Sequence, residues 1–211
     1  VWGHECLDTD KSLLRNASAY TIGRELMAYE HGVHFCVLMM NGDYQGVYLF
    51  TKKNKRDNNR LDIKKRESDE NSGDDLTGGY IIKIDKFTGT NNGGWTSAYP
   101  AQDNIDFDIN FQYDFPAADE ITSEQMNYIQ NYVGDFEDAL AGNNFMDAEE
   151  GYRKYINIES FIRFWIINEL AKNVDGYRLS TYFYKDKNSI DPKIKMGSIW
   201  DFNLGFGNAD Y

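Results

Sequence analysis

The sequence predicts an α+β fold in two lobes. Strand-like runs crowd the first half of the chain, helical periodicities crowd the second half, and a short aromatic hairpin lies near the end. The expected division is 1–115, mainly β, and 116–211, helical with the terminal hairpin.

Taken in order, Asp10-Lys11-Ser12 can cap a helix over roughly 12–29, with Leu13, Ala17, Tyr20 and Arg24 along one side and Gly32 as its stop. Val33–Met40 and Tyr44–Phe50 flank Asn41-Gly42, the dipeptide best suited to a two-residue hairpin turn because both central residues need positive φ. The first of these strands is apolar on both faces and is therefore expected to be central. Residues 52–78 are polar and charged and read as a mobile connection. Gly78-Gly79 introduces a further strand, Tyr80–Asp85, interrupted by Lys83; that lysine is either an exposed-face residue or a phosphate contact. Residues 88–95 read as a flexible loop, and strands around 96–111 are less clearly marked.

Thr122-Ser123-Glu124-Gln125 is a capping box, followed by Met126, Ile129, Val133, Phe136 and Leu140 at helical spacing to about residue 141. Asn157 caps the next helix, whose apolar stripe reads Phe161, Ile162, Trp165, Ile166 and Leu170. The two helices are expected to pack together as the core of a helical lobe. Tyr182–Lys185 and Ile194–Ile199 then form the hairpin.

Composition narrows the function. With 41% hydrophobic and 15% aromatic residues over 211 positions, a sizeable core can form; three prolines and no low-complexity tract argue against disorder. A net charge of −12 argues against nucleic acid as a partner, because that binding rests on clustered Lys and Arg. The local exceptions, Lys52-Lys53-Asn54-Lys55-Arg56 and Lys64-Lys65-Arg66, are solvated turns or a basic rim for a phosphate or an acidic partner. No apolar run reaches the roughly 20 residues that span a bilayer, and no signal peptide is visible, because Val1 starts inside folded-looking sequence. Cys6 and Cys36 permit one disulfide and define no zinc site, and His4, His31 and His34 are scattered.

The chemistry concentrates in the last forty residues. Asp175 follows a helix, where an acid opposes the helix dipole, so it is either a turn residue in Asp175-Gly176 or a functional acid. Asp201 follows the hairpin in Trp200-Asp201-Phe202-Asn203, next to Gly205-Phe206-Gly207-Asn208. A carboxylate beside a glycine turn suits a hard, oxygen-binding cation such as Mg²⁺, with Asn203 and Asn208 offering carbonyl ligands. A metal-dependent hydrolase using both aspartates without nucleotide is one reading. The order helix, acid, hairpin, Asp-Phe is also the order in which protein kinases carry their proton acceptor and their metal-binding aspartate.

These stretches, together with Asp10-Lys11-Ser12-Leu13-Leu14-Arg15-Asn16-Ala17, Met40-Asn41-Gly42-Asp43-Tyr44-Gln45-Gly46-Val47-Tyr48, Gly79-Tyr80-Ile81-Ile82-Lys83-Ile84-Asp85, Gly151-Tyr152-Arg153, Asn168-Glu169-Leu170 and Asn173-Val174-Asp175-Gly176-Tyr177-Arg178, resemble the CotH kinase family of spore-coat-protein-H-like atypical kinases. The resemblance implies a protein-kinase-like two-lobed fold that uses ATP and Mg²⁺ to phosphorylate Ser/Thr on secreted or surface proteins. By match to the family's motifs Asp175 takes the catalytic-base position and Asp201, with Asn203, the metal position. Lys83, Ser180 and Glu25 are the candidate cofactor contacts, Glu25 as the partner of a lysine. The resemblance also implies an exported bacterial protein acting outside the cell or at its surface, a compartment that a Cys6–Cys36 disulfide would suit.

The sequence departs from the family's pattern at several points. The usual nucleotide loop and lysine do not precede Val1, so the domain is expected to be truncated at its N-terminal lobe. Asn203 stands where relatives carry aspartate, Ser180 where ordinary kinases carry a metal-binding asparagine, and Lys52 where an acid is expected. A pseudokinase or surface binding module is the alternative these departures favour.

Overall fold

The computed structural model describes residues 2–5, 10, 12–86, 93–102 and 105–209. Residues 88–92 of the expected loop, and Cys6 with any pairing to Cys36, lie outside them. Within the described residues, two antiparallel sheets and four α-helices make an α+β fold.

The first sheet contains β1 (Trp2–Glu5), β2 (Val33–Met40) and β3 (Asp43–Lys52) in the order β1-β3-β2. Asn41 and Gly42 turn the β2–β3 hairpin with φ of 52° and 89°, as the two-residue turn requires. The central strand is β3, not β2, because β1 pairs along its other side. This leaves β2 at an edge with Phe35, Val37, Met39 and Met40 exposed.

Helix α1 spans Arg15–Leu26, shorter than expected at both ends. Leu13 adopts a left-handed φ of 59° and lies outside it. The buried Asp10 carboxylate organises the entry, accepting the backbone N–H of Ser12 at 3.1 Å and of Arg15 at 2.9 Å and pairing with the Arg15 guanidinium. The buried stripe of α1 is Asn16, Ala17, Tyr20 and Gly23, while Arg24 faces solvent.

Residues 52–78 are packed, contrary to the expected mobile connection. Leu61 and Ile63 are buried against Ile81, Tyr182 and Tyr184. Arg66 is buried over the Tyr80 ring, 4.2 Å from its centroid, and donates to the carbonyls of Glu70 and Gly78. A short helix, α2 (Gly73–Leu76), presents Asp74 to the N–H and hydroxyl of Ser189 at 3.0 and 2.6 Å. Lys187 pairs with Glu70 and Asp75. The charge that reads as solvated loop is used in ties to residues 186–189.

The second sheet runs β5 (Gly94–Gln102), β6 (Ile105–Phe115), β4 (Tyr80–Ile84), β7 (Thr181–Lys185), β8 (Lys195–Met196), antiparallel throughout. It draws strands from both sides of residue 115, so the expected two-part division passes through one sheet. Successive side chains on β4 point to opposite faces. Tyr80 and Ile82 pack with Phe111 and Tyr113 beneath helix α3 (Ser123–Ala141), which adds Ile129 and Val133. The capping box at Thr122 and Gln125 starts that helix as expected, although Leu140 at its far end is exposed.

Helix α4 (Ile158–Ala171) begins at the Asn157 cap, whose side chain accepts the Ser160 N–H at 2.9 Å. Its buried residues are Phe164, Ile167, Asn168 and Ala171, whereas Ile162, Trp165, Ile166 and Leu170 of the expected stripe are exposed. The helix is apolar nearly all round, so periodicity cannot choose a face; contact with α1 and β8 chooses it. The two long helices therefore serve different cores, α3 on the sheet and α4 on α1, and meet where Phe136 touches Phe161. Among the described residues no helix is long and apolar enough to cross a membrane.

Candidate active site

The candidate residues lie at the ends of four chain segments, β4, β6, α4 and the stretch after β8. Along β4 the face that buries Ile81 continues as Lys83 and then Asp85, because residues two apart share a face. Lys83 sits opposite Tyr182 on β7, with its ammonium 6.0 Å from that ring's centroid and 3.7 Å from the Asp85 carboxylate. Asp114 comes from the end of β6, and burial raises its pKa while Lys83 opposes and Asp85 adds to the rise. The strand lysine is thus half-buried and surrounded by acids.

Asp175 stands in the turn after α4. The helix ends with Lys172 in the left-handed conformation, and the buried Asn168 organises the turn beyond it. Its side-chain N–H donates to the Phe164 carbonyl at 2.9 Å, and its Oδ1 accepts from the Asn173 amide at 3.2 Å. Asn173 in turn accepts the Asp175 N–H at 3.4 Å. A Cβ on Gly176 would stand 2.6 Å from Asn168 Oδ1, so the turn closes only around glycine. The Asp175 carboxylate accepts from the Arg178 guanidinium at 2.7 Å. The arginine is more than half exposed, so this pair contributes little stability and leaves the acid open to exchange partners.

Asp201 is reached differently from the expected strand end. The return strand β8 is only Lys195–Met196, and the chain leaves the sheet at Gly197, whose φ is 126°. It then runs irregularly to Asp201, itself at a φ of 58°. Burial first, and then the charges of Asp175 and Asp85, raise the pKa of the Asp201 carboxyl, with Lys86 opposing. The two aspartates, 26 positions apart in sequence (201 minus 175), therefore share one electrostatic environment. Burial also pushes the Tyr182 phenol up, reinforced by Asp114, Asp85 and Asp201.

Of the residues singled out from sequence, Asp175 and Asp201 lie near enough for the charge of the first to act on the second, and Lys83 is linked to them through Asp85, which it pairs with and whose charge also acts on Asp201. Asn203 follows in the next turn, its carbonyl accepting from Asn208 Nδ2 at 2.8 Å. Ser180 is half-buried at a φ of 50°, two positions before Tyr182. Glu25 is exposed on α1 and makes no ion pair among the described residues; it lies two positions, or roughly 200° of helix rotation, from the buried Gly23. Sequence reasoning missed Asp85 and Asp114. For Asp85 the signal was present, since Lys83 and Asp85 alternate on one strand face. Asp114 has none, because only the pairing of β6 with β4 carries it to these residues.

The donor set fits a hard divalent cation. Mg²⁺ binds through one or two carboxylates and keeps water and phosphate oxygens for the rest of its shell, and a positive ion would relieve the crowding that raises the Asp201 pKa. Among the described residues no three His, Cys, Asp or Glu side chains converge to hold a metal ion by themselves. No curated protein matches the chain. The family model described as CotH kinase protein matches residues 4–211, and on that match over nearly all its length the chain belongs to the CotH kinase family.

Proposed function

We propose that this chain forms the catalytic region of an atypical, protein-kinase-like Ser/Thr kinase that transfers phosphate from ATP to exported proteins. The observation that carries the reading is that Asp175 lies close enough to the half-buried Asp201 for its charge to add to the rise that burial gives the Asp201 carboxyl. Asp201 would hold Mg²⁺, with the Asn203 side chain as a neutral oxygen donor. The ion supplies charge neutralisation for the transferring phosphoryl group. Asp175 would accept the proton of the acceptor hydroxyl, and Arg178 would keep the carboxylate oriented until a substrate displaces it. Lys83, held between Asp85 and Asp114, would offer its ammonium to phosphate oxygens. Ser180 would add a hydroxyl oxygen near the base. The test is phosphate transfer from γ-labelled ATP to a Ser/Thr-containing protein by the full native chain, against Asp175→Asn. Equal transfer by both would remove Asp175 from the chemistry.

A second reading, a pseudokinase acting as a surface binding module, is favoured by Asn203, which removes one negative metal ligand where relatives often carry aspartate, and by Ser180, a weaker oxygen donor than the asparagine of ordinary kinases. Calorimetry with Mg-ATP separates the two, since a binding module gives no magnesium-dependent heat.

A further inference from the structure

The chain that delivers Asp201 has no ladder to hold it. After β8 ends at Met196, the backbone N–H groups of Ile199, Asp201 and Phe202 are taken instead by three side chains from one stretch of the molecule. Glu30 Oε2 accepts from Ile199 at 2.9 Å, the Tyr20 hydroxyl from Asp201 at 3.3 Å, and Asn16 Oδ1 from Phe202 at 2.6 Å. Asn16, Tyr20 and Gly23 fall on one stripe of α1 at i, i+4 and i+7, and Glu30 lies in the turn that follows it. Gly23 completes the fit: a Cβ there would stand 2.9 Å from both Glu30 Cγ and Ile199 Cδ1. Ahead of these contacts Ser198 is tied to Asn54 by a side-chain hydrogen bond.

Two further observations bear on what this arrangement does. Asp201 is held in a left-handed conformation that an L-residue with a Cβ rarely adopts, so something must over-determine it. Asn16 and Glu30 are also buried polar groups whose acceptors reach the backbone of Phe202 and Ile199, two members of an apolar cluster. A core serving stability alone would be filled with apolar side chains; buried acceptors aimed at three backbone donors within four residues specify one backbone path.

We propose that Asn16, Tyr20 and Glu30 are positioning residues that fix the backbone of residues 199–202, so that the Asp201 carboxylate is presented toward Asp175 and Asp85 and its divalent-cation affinity depends on α1. This rests on the reading of Asp201 as a metal ligand. It assigns α1 a role on its buried stripe, distinct from any lysine-pairing role for the exposed Glu25.

The test uses the full chain and Mn²⁺ alone as the probe, with free Mn²⁺ followed by its electron paramagnetic resonance signal. Tyr20→Phe keeps the ring, its stacking on Trp200 and its edge contact with His31, but removes the acceptor for Asp201. It is expected to weaken Mn²⁺ binding about fivefold to tenfold, the effect of losing one hydrogen bond that favours the binding conformation. Asn16→Leu is expected to act in the same direction, whereas Asn16→Asp, which keeps an acceptor, should retain slow amide exchange at Phe202. Ile129→Val, a stability loss beneath α3, should leave Mn²⁺ affinity unchanged. If Tyr20→Phe and Asn16→Leu speed amide exchange at Asp201 and Phe202 yet bind Mn²⁺ as tightly as the parent, the contacts are structural only and the proposal fails. Should Asn16→Leu not fold, Tyr20→Phe decides alone. Asp201→Asn distinguishes the two levels: if it binds Mn²⁺ as well as the parent, the metal role of Asp201 fails and this inference with it. If it loses binding while Tyr20→Phe does not, only the positioning role is overturned.

Discussion

The loops that carry Asp175 and Asp201 approach one another but are held in contrasting ways. The Asp175 turn is a local structure. Its partners, Asn168, Asn173 and Arg178, lie within seven residues of the aspartate (175 minus 168), and the arginine reaches it from solvent. The Asp201 loop is held from afar by Asn16, Tyr20 and Glu30, more than 160 positions earlier in the chain. The loops touch where the Phe206 N–H donates to the Ala171 carbonyl at the end of α4. One acid therefore takes its hydrogen bonds from near neighbours in sequence, whereas the backbone of the other is held by α1 and the turn that follows it.

The strongest contrast separates the two acids by role. Asp175→Asn should lower phosphate transfer by about 10²–10⁴-fold, the usual range for loss of a general base, while magnesium-dependent ATP heat persists. Asp201→Asn should remove that heat. Loss of binding in Asp175→Asn, measured by calorimetry, would break the division of roles.

Next come the two glycines that let each loop close. Gly176→Ala would press a methyl against Asn168 Oδ1 at 2.6 Å and the Asn173 carbonyl at 3.0 Å. It should cost about 1–3 kcal/mol, as overpacking does. Gly23→Ala meets Glu30 and Ile199 at 2.9 Å but lies inside α1. There alanine regains about 1 kcal/mol of helix propensity, so its net loss should be the smaller. Urea melts of both variants check the order, and a larger loss at Gly23 would mean that the distant clamp is the stiffer of the two.

A pH effect of similar size belongs to the Asp201 side alone. Burial pushes the Glu30 carboxyl from its ordinary 4.5 up to about 8 and the adjoining His31 from 6.5 down to about 4. The Glu30 contribution to stability is complete below 4.5 and is lost as pH rises through about 8. The His31 contribution is present above 6.5 and is lost as pH falls toward 4. Between 4.5 and 6.5 they oppose; between 6.5 and 8 Glu30 acts alone and stability should fall. At about 1.4 kcal/mol per pH unit the fall is about 2 kcal/mol, and Glu30→Gln should abolish it in melts at the two ends of that interval. A variant that keeps the full decline would assign the slope to other groups.

Arg178→Ala should perturb the molecule least. An exposed ion pair is worth about 0.2–1 kcal/mol, so the melt should shift little, and a loss well above that range would show that the Asp175 turn is less self-sufficient than its local contacts indicate.

Much of the fold and part of the site were legible before any coordinates. The Asn41-Gly42 turn, the Thr122–Gln125 capping box, the Asn157 cap and the strand after Gly78-Gly79 each rest on contacts between near neighbours in sequence, and each stands in the structure. The errors share a different cause. The position of β2 in its sheet, the buried face of α4 and the packing of residues 52–78 each depend on what a distant segment supplies. The site divides in the same way. Asp175 and Asp201 stand out by motif, and Asp85 by alternation with Lys83, but Asp114, Asn16, Tyr20 and Glu30 carry no local mark of their roles.

The order of amino acids was enough for the α+β class and for the caps and turns, because backbone preferences and short-range hydrogen bonds are written in adjacent residues. Long-range packing settled which faces are buried, that Glu25 is exposed, and that side chains of α1 accept from the backbone at Asp201 and Phe202. Those outcomes depend on burial and on backbone donors left unpaired when β8 stops, and such donors are satisfied by whichever acceptors the folded chain brings within reach.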